Sequence, residues 1–168
     1  MSGATVSGVS KVARSRAATI GHVNYELYMG AALAEARAAM KAGDKPDGAV
    51  AVLDEAMVAR GRNKVESTGD PTAHAVMVVL REAARRLGRS KLSGMIIFAA
   101  NEPCTMCVGA LLESDVDGLV FALPDPAKGA VGSSNGSASD ALRRRVRVVS
   151  GIMQAEAAEL REGVTSAR

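Results

Sequence analysis

The sequence predicts one α/β domain built as a three-layer α/β/α sandwich. Two observations predict it: continuous apolar runs of strand length recur along the chain, and they alternate with segments whose apolar residues repeat at helical spacing. A chain of 168 residues, 48% of them hydrophobic, is long enough to bury one core. We therefore expect a flexible N-terminal lead over residues 1–20 and a single domain over residues 21–168.

The first half of that domain is predicted to contain a helix, a hairpin and a second helix. Asn24 is the expected N-cap of the first helix, and Asp54-Glu55 is the expected turn of the hairpin. The predicted elements are a helix from Asn24 to a stop at Gly43, strands Gly48–Leu53 and Met57–Arg60, a loop over Gly61–Pro71, and a helix over Thr72–Leu87 that Gly88 ends.

The second half continues the alternation and contains one long segment rich in Gly, Ser and Ala, which has the composition of a surface loop able to cover a site. The predicted elements are strand Gly94–Ala100, helix Cys104–Ser114, strand Gly118–Leu123, loop Pro124–Asp140, strand Arg145–Val149 and helix Ile152–Glu162.

Composition and charge exclude several classes of protein. No run is long and apolar enough for a membrane span, and the first residues do not form a secretory signal. The two cysteines are too few for a disulfide framework, which suits a reducing compartment, so a cytoplasmic location is expected. A net charge of +3 and two Tyr plus two Phe offer little for stacking single-stranded RNA. The basic run at residues 143–147 is interpreted as a solvated face.

The cysteine pair is the strongest chemical signal. Cys104 and Cys107 open a predicted helix directly after a buried strand, where the helix dipole stabilises thiolates. His74 also lies near the start of a predicted helix, so adjacent strands can bring the three side chains together. Three protein ligands leave a fourth tetrahedral position for water, which is typical of a catalytic zinc site.

A thioredoxin-like redox motif is the main alternative for a Cys-x-x-Cys sequence at this position. That motif has an aromatic residue before its first cysteine, whereas Asn101, Glu102 and Pro103 precede Cys104 here. Metal binding is therefore the favoured interpretation.

The residues around both motifs resemble the zinc-dependent cytidine/deoxycytidylate deaminase superfamily, and above all its tRNA adenosine deaminase and guanine deaminase branches. The resemblance extends from about Tyr25 to Glu162. It rests on Asp70-Pro71-Thr72-Ala73-His74-Ala75, Glu102-Pro103-Cys104-Thr105-Met106-Cys107-Val108-Gly109-Ala110, Gly48-Ala49-Val50, Gly61-Arg62-Asn63 and the loop Asp125 to Ser133.

The resemblance implies a central five-stranded mixed sheet, a homodimer, and Zn²⁺ held by His74, Cys104 and Cys107. Bound zinc supplies hydroxide at neutral pH for attack on an amino-bearing ring carbon. By the same resemblance, Asn63 holds the base or its sugar, and the backbone around Ala75 and Cys104 lines the edge of the ring. Glu102 is expected to be structural, by capping the cysteine helix or meeting a partner chain.

Val76 departs from the family, which has a proton-shuttling glutamate two residues after the zinc histidine. Valine neither accepts nor donates a proton, and losing a general acid–base costs about 10²–10⁴-fold in rate. Three explanations stay open: a variant of a working enzyme, an enzyme that uses another acid such as Asp125 or Asp140, or a pseudoenzyme that binds a base without converting it.

The favoured function is hydrolytic deamination of a free nucleobase or related heterocycle: guanine, cytosine or a triazine-like ring. The first alternative is tRNA adenosine deamination, which the low net charge and the C-terminal Arg161-Glu162-Gly163-Val164, without the aromatic pair and basic end of that branch, make the less favoured. The second is a non-catalytic zinc and nucleobase binding module.

Overall fold

The computed structural model describes residues 23–133 and 136–165, so the predicted lead at residues 1–20 lies outside the described part. The described elements alternate as predicted. In chain order they are α1 Tyr25–Lys41, β1 Gly48–Leu53, β2 Ala56–Arg62, α2 Val65–Thr68, α3 Ala75–Leu87, β3 Ile96–Asn101, α4 Thr105–Glu113, β4 Gly118–Leu123, α5 Ser137–Arg145, β5 Arg147–Ser150 and α6 Gln154–Thr165.

The five strands form one mixed sheet in the order β2-β1-β3-β4-β5. β1 runs antiparallel to both β2 and β3, whereas β3, β4 and β5 run parallel. The carboxyl ends of β2, β3 and β4 therefore lie at the same edge of the sheet as the start of β1. Ligand sites in open α/β sheets form at the carboxyl ends of parallel strands.

Each face of the sheet packs against its own group of helices, which confirms the three layers. α1 and α6 cover one face, over a cluster that includes Val50, Phe98 and Val120. α3, α4 and α5 cover the other, over a cluster that includes Ile97 and Leu119. Because successive side chains of a strand point to opposite faces, the apolar runs supply both cores at once.

Two features of the helices match the prediction closely. Asn24 is the N-cap of α1, and its side chain accepts a hydrogen bond of 3.0 Å from the Leu27 N–H. Gly88 ends α3 in the left-handed conformation, with φ 62°, where glycine carries no steric cost. No helix of the described residues is both long enough and apolar enough to cross a bilayer.

Several boundaries differ from the prediction, three of them at the helices α3, α2 and α5. α3 begins at Ala75 rather than Thr72, because the Asp70 carboxylate accepts hydrogen bonds from the Thr72 N–H and hydroxyl and folds residues 70–73 into a turn. The predicted loop over 61–71 contains the short helix α2. The predicted loop over 124–140 ends where α5 begins, and α5 carries the exposed basic residues Arg143, Arg144 and Arg145.

Candidate metal centre

Two helix N-termini meet at the carboxyl edge of the sheet and place the three predicted metal ligands. His74 is the N-cap residue of α3, and Cys104 is the N-cap residue of α4, directly after β3. Cys107 lies in the first turn of α4 and is buried. The His74 side chain makes no capping hydrogen bond to α3, so its ring stays available for a metal.

The three ligand atoms occupy three corners of a tetrahedron of the size that zinc requires. The His74 Nδ1 atom is 3.5 Å from the Cys104 Sγ and 3.7 Å from the Cys107 Sγ, and the two sulfurs are 3.8 Å apart. Tetrahedral zinc, with Zn–S of about 2.3 Å and Zn–N of about 2.0 Å, requires S···S of about 3.8 Å and S···N of about 3.5 Å. The donor set and its spacing therefore fit zinc.

The protonation of the two thiols also favours a cation. Contact with Cys107 lowers the pKa of Cys104 to about 4, against the effect of burial, and the charge of His74 and the N–H groups of Cys107 and Met106 add to the lowering. The same contact, together with burial, raises the pKa of Cys107. A pair that shares one proton in this way releases it when a metal binds.

The remaining predicted site residues surround this cluster. Ala75 is the first residue of α3, so its N–H has no acceptor within the helix. Val76, the second residue of α3, is 2% exposed and belongs to the hydrophobic core that α3 covers. Asn63 is buried after β2, and its Oδ1 accepts a hydrogen bond from the Val65 N–H, which fixes the side chain. None of the three positions brings a carboxyl group to the cluster.

Glu102 has a larger structural role than expected. Its carboxylate accepts hydrogen bonds from the N–H groups of four loop residues and from the Ser133 hydroxyl, rather than capping α4. Burial by itself raises the pKa of Glu102, but these hydrogen bonds outweigh it and lower the pKa to about 2. The four N–H donors belong to Asp125, Val131, Gly132 and Ser133.

The loop of residues 125–133, which is hydrogen-bonded to Glu102, forms one wall of the metal centre. Gly129 makes an isolated β-bridge with Cys104, and the Ala130 N–H donates to the Pro103 carbonyl. A Cβ added at Gly129 would overlap the Glu102 carboxylate, so only glycine fits there. Ala130 and Val131 are buried, so this part of the predicted surface loop packs into the core.

We predict that Glu102→Gln destabilises the fold by about 2–3 kcal/mol. The glutamine NH₂ group would face backbone N–H donors that have lost a charged acceptor, and buried donors without partners cost about 1–3 kcal/mol each. Thermal or denaturant unfolding measures the change. Glu113→Gln, on an exposed residue at the end of α4, is the control and should leave stability unchanged. An equal effect of both substitutions would contradict this role of Glu102.

Neither acid suggested in place of the missing glutamate is positioned for that role. Asp140 is exposed in the first turn of α5. One carboxylate oxygen of Asp125 accepts from the N–H groups of Ala127 and Lys128, and the other pairs with Lys45 at 3.6 Å and Arg161 at 3.9 Å.

Comparison with known proteins identifies the family of the chain that contains this centre. Residues 22–123 match the model of the cytidine and deoxycytidylate deaminase zinc-binding region, which spans the Asn63 loop and all three ligands. The chain belongs to that family. As a member of this zinc-binding deaminase family it carries the His/Cys/Cys cluster that the cofactor requires.

The relatives of the chain within the family include enzymes named for two kinds of substrate. The chain is 38% identical to the tRNA-specific adenosine deaminase of Bacillus subtilis over 78% of this chain and 82% of that protein. It is 40% identical to the guanine deaminase of the same organism over 53% of this chain and 58% of that protein. A solved tRNA:A34 deaminase superposes with a TM-score of 0.74 at 36% identity, over 80% of this chain and 98% of the other.

Proposed function

We propose that this family member is a zinc-dependent aminohydrolase that deaminates adenosine in RNA, with a tRNA anticodon loop as its substrate. The sequence similarity to the tRNA-specific adenosine deaminase of Bacillus subtilis covers more of both chains than the similarity to the guanine deaminase of the same organism. It supports the RNA alternative better than the free nucleobase that composition favoured. The low net charge argued against RNA, but net charge does not show where the charges lie.

We base the choice of RNA on a basic cavity at the edge of the sheet where β3 ends. It has a volume of about 340 Å³, within the range of small-ligand sites, and Asn101 at the end of β3 is one of its walls. Three cations, Lys45, Lys128 and Arg161, surround it with one carboxylate, Asp125. This excess of positive charge suits a substrate that carries phosphate groups, because a free base has no negative charge for these cations to bind.

The proposed roles of the predicted site residues follow from their positions. His74, Cys104 and Cys107 hold the zinc, which supplies Lewis acidity for the addition of water to an aromatic amidine. Asn63, fixed through its Oδ1, presents its amide N–H groups to the base or its sugar. The unpaired N–H of Ala75 lies beside the zinc histidine and can donate to the edge of the ring.

Two narrower statements remain predictions. The homodimer that the family resemblance implies requires a measurement of mass in solution. The non-catalytic alternative depends on whether any acid replaces the glutamate missing at Val76.

Ammonia release from an anticodon stem-loop and from a panel of free bases tests the substrate class. We expect release from the RNA, RNA binding that weakens as salt rises, and an affinity about 5-fold lower or more for Lys128→Ala, because one phosphate contact is lost. Arg89→Ala, an exposed cation just beyond the opposite end of α3, is the control and should bind RNA as the parent chain does. Release from free guanine or cytosine alone would contradict the RNA proposal.

A further inference from the structure

We propose that Asp47 is the acid–base residue of this centre and takes the place of the glutamate that Val76 removes. The inference rests on the proposed deaminase function and identifies the residue that moves its protons. Asp47 directly precedes β1, whose first residues lie at the same sheet edge as the ends of β2 and β3. That edge carries the metal centre.

Hydrogen bonds fix Asp47 between the loop that carries Asn63 and the strand that leads to the cysteines. The Asn63 N–H donates to the Asp47 carbonyl at 2.9 Å. The Asn101 amide donates to the Asp47 Oδ1 at 3.0 Å and to the Pro46 carbonyl at 3.0 Å. Asn101 is held in turn by Arg161, which donates to its Oδ1 at 2.9 Å. This chain of contacts orients the Asp47 carboxylate.

The second oxygen of that carboxylate is available for chemistry. The Oδ1 atom of Asp47 accepts a hydrogen bond from the Asn101 amide. Among the described residues, the Oδ2 atom has no hydrogen-bond partner, and it is not one of the buried unpaired oxygens. Asp47 is partly buried, so its side chain is neither enclosed in the core nor fully exposed. A carboxylate held by one oxygen and open at the other is the arrangement that proton transfer requires.

Asp47 also lies within electrostatic range of the ligand cluster. Its carboxylate interacts with the His74 ring and with the Cys107 thiol. Burial raises the pKa of Asp47 above its ordinary value, against the opposing effects of the Asn101 hydrogen bond and the charges of Lys45 and His74. A carboxyl group with a raised pKa both accepts and returns a proton more readily near neutral pH.

The proton transfers balance with Asp47 as the only carrier. The oxygen of a water molecule bonds to the amino-bearing ring carbon while the Asp47 carboxylate accepts one of its protons and delivers it to the adjacent ring nitrogen. The carboxylate then accepts the second proton and passes it to the amino group. The C–N bond breaks, ammonia leaves, the oxygen becomes a carbonyl, and Asp47 ends as a carboxylate.

Asp47→Asn tests the proposal because it keeps an acceptor for Asn101 and removes the acid. We expect ammonia release from the anticodon stem-loop to fall by about 10²-fold or more, with zinc content and the thermal midpoint unchanged. In a Val76→Glu chain, the same substitution should change the rate by less than about 10-fold, because the new glutamate carries the protons. Asp54→Asn, in the exposed β1–β2 turn, is the control.

The outcomes separate this inference from the proposed function. If the parent chain releases ammonia and Asp47→Asn does so equally fast, Asp47 is not the proton carrier although the deaminase function stands. If only chains with Val76→Glu are active, the pocket is a deaminase pocket and Asp47 has no catalytic role. If no form is active on any substrate, the proposed function fails and this inference fails with it.

Discussion

Replacing Cys104 by alanine is expected to lower the zinc content from one ion per chain to nearly none and to abolish deamination. Two ligands cannot hold zinc in the open tetrahedral geometry that the spacing of His74, Cys104 and Cys107 provides. Elemental analysis of the purified protein measures the zinc, and ammonia release measures the activity.

The neighbouring substitution Thr105→Ala provides the control. Thr105 is exposed in the first turn of α4, so its loss leaves both sulfurs and the helix start in place and should leave the zinc content unchanged. Full zinc occupancy in Cys104→Ala would mean that the metal binds elsewhere in the chain, and the assignment of this centre would be wrong.

Val76→Glu is expected to raise deamination by about 10²-fold or more in a chain that also carries Asp47→Asn, because it restores a positioned acid–base. Val76 lies two residues after His74 in the first turn of α3 and faces the core beneath the cluster. A carboxylate there is buried, but a bound zinc ion compensates its charge.

Val76→Gln is the matched control, since it has the shape of glutamate without its proton chemistry. It should leave the rate of the Asp47→Asn chain unchanged. In the parent chain we expect a smaller gain from Val76→Glu, because Asp47 already carries protons. Equal gains from Glu and Gln would show that pocket shape, and not proton transfer, limits the reaction.

The sequence predicted most of the fold because its signals are local. The apolar runs at Gly48–Leu53 and Gly118–Leu123 became central strands, and Asn24 and Gly88 act where capping chemistry places them. α2 and α5 were missed because they are short and lie within segments whose Gly, Ser and charged residues are typical of loops.

The site was predictable only where neighbours in sequence are also neighbours in space. Cys104 and Cys107 share one helical turn, and the residues around His74 match a known motif. Asp47 was missed because a single acid before Gly48 gives no periodic or motif signal. The position of Asp47 at the site becomes visible only in the structure, where the antiparallel pairing of β1 with β3 brings it to Asn101. The hydrogen bonds between Glu102 and its loop were missed for the same reason, because the donors lie 23 to 31 positions further along the sequence.

If this centre hydrolyses an amidine without the family's glutamate, an oxygen atom from water must enter the product. The most direct measurement is a single-turnover reaction of zinc-loaded protein, in excess over an anticodon stem-loop, in water enriched in ¹⁸O, followed by mass spectrometry of the RNA. We expect that the target adenosine becomes inosine with one oxygen from the solvent. Recovery of bound RNA with its adenosine unchanged would contradict it.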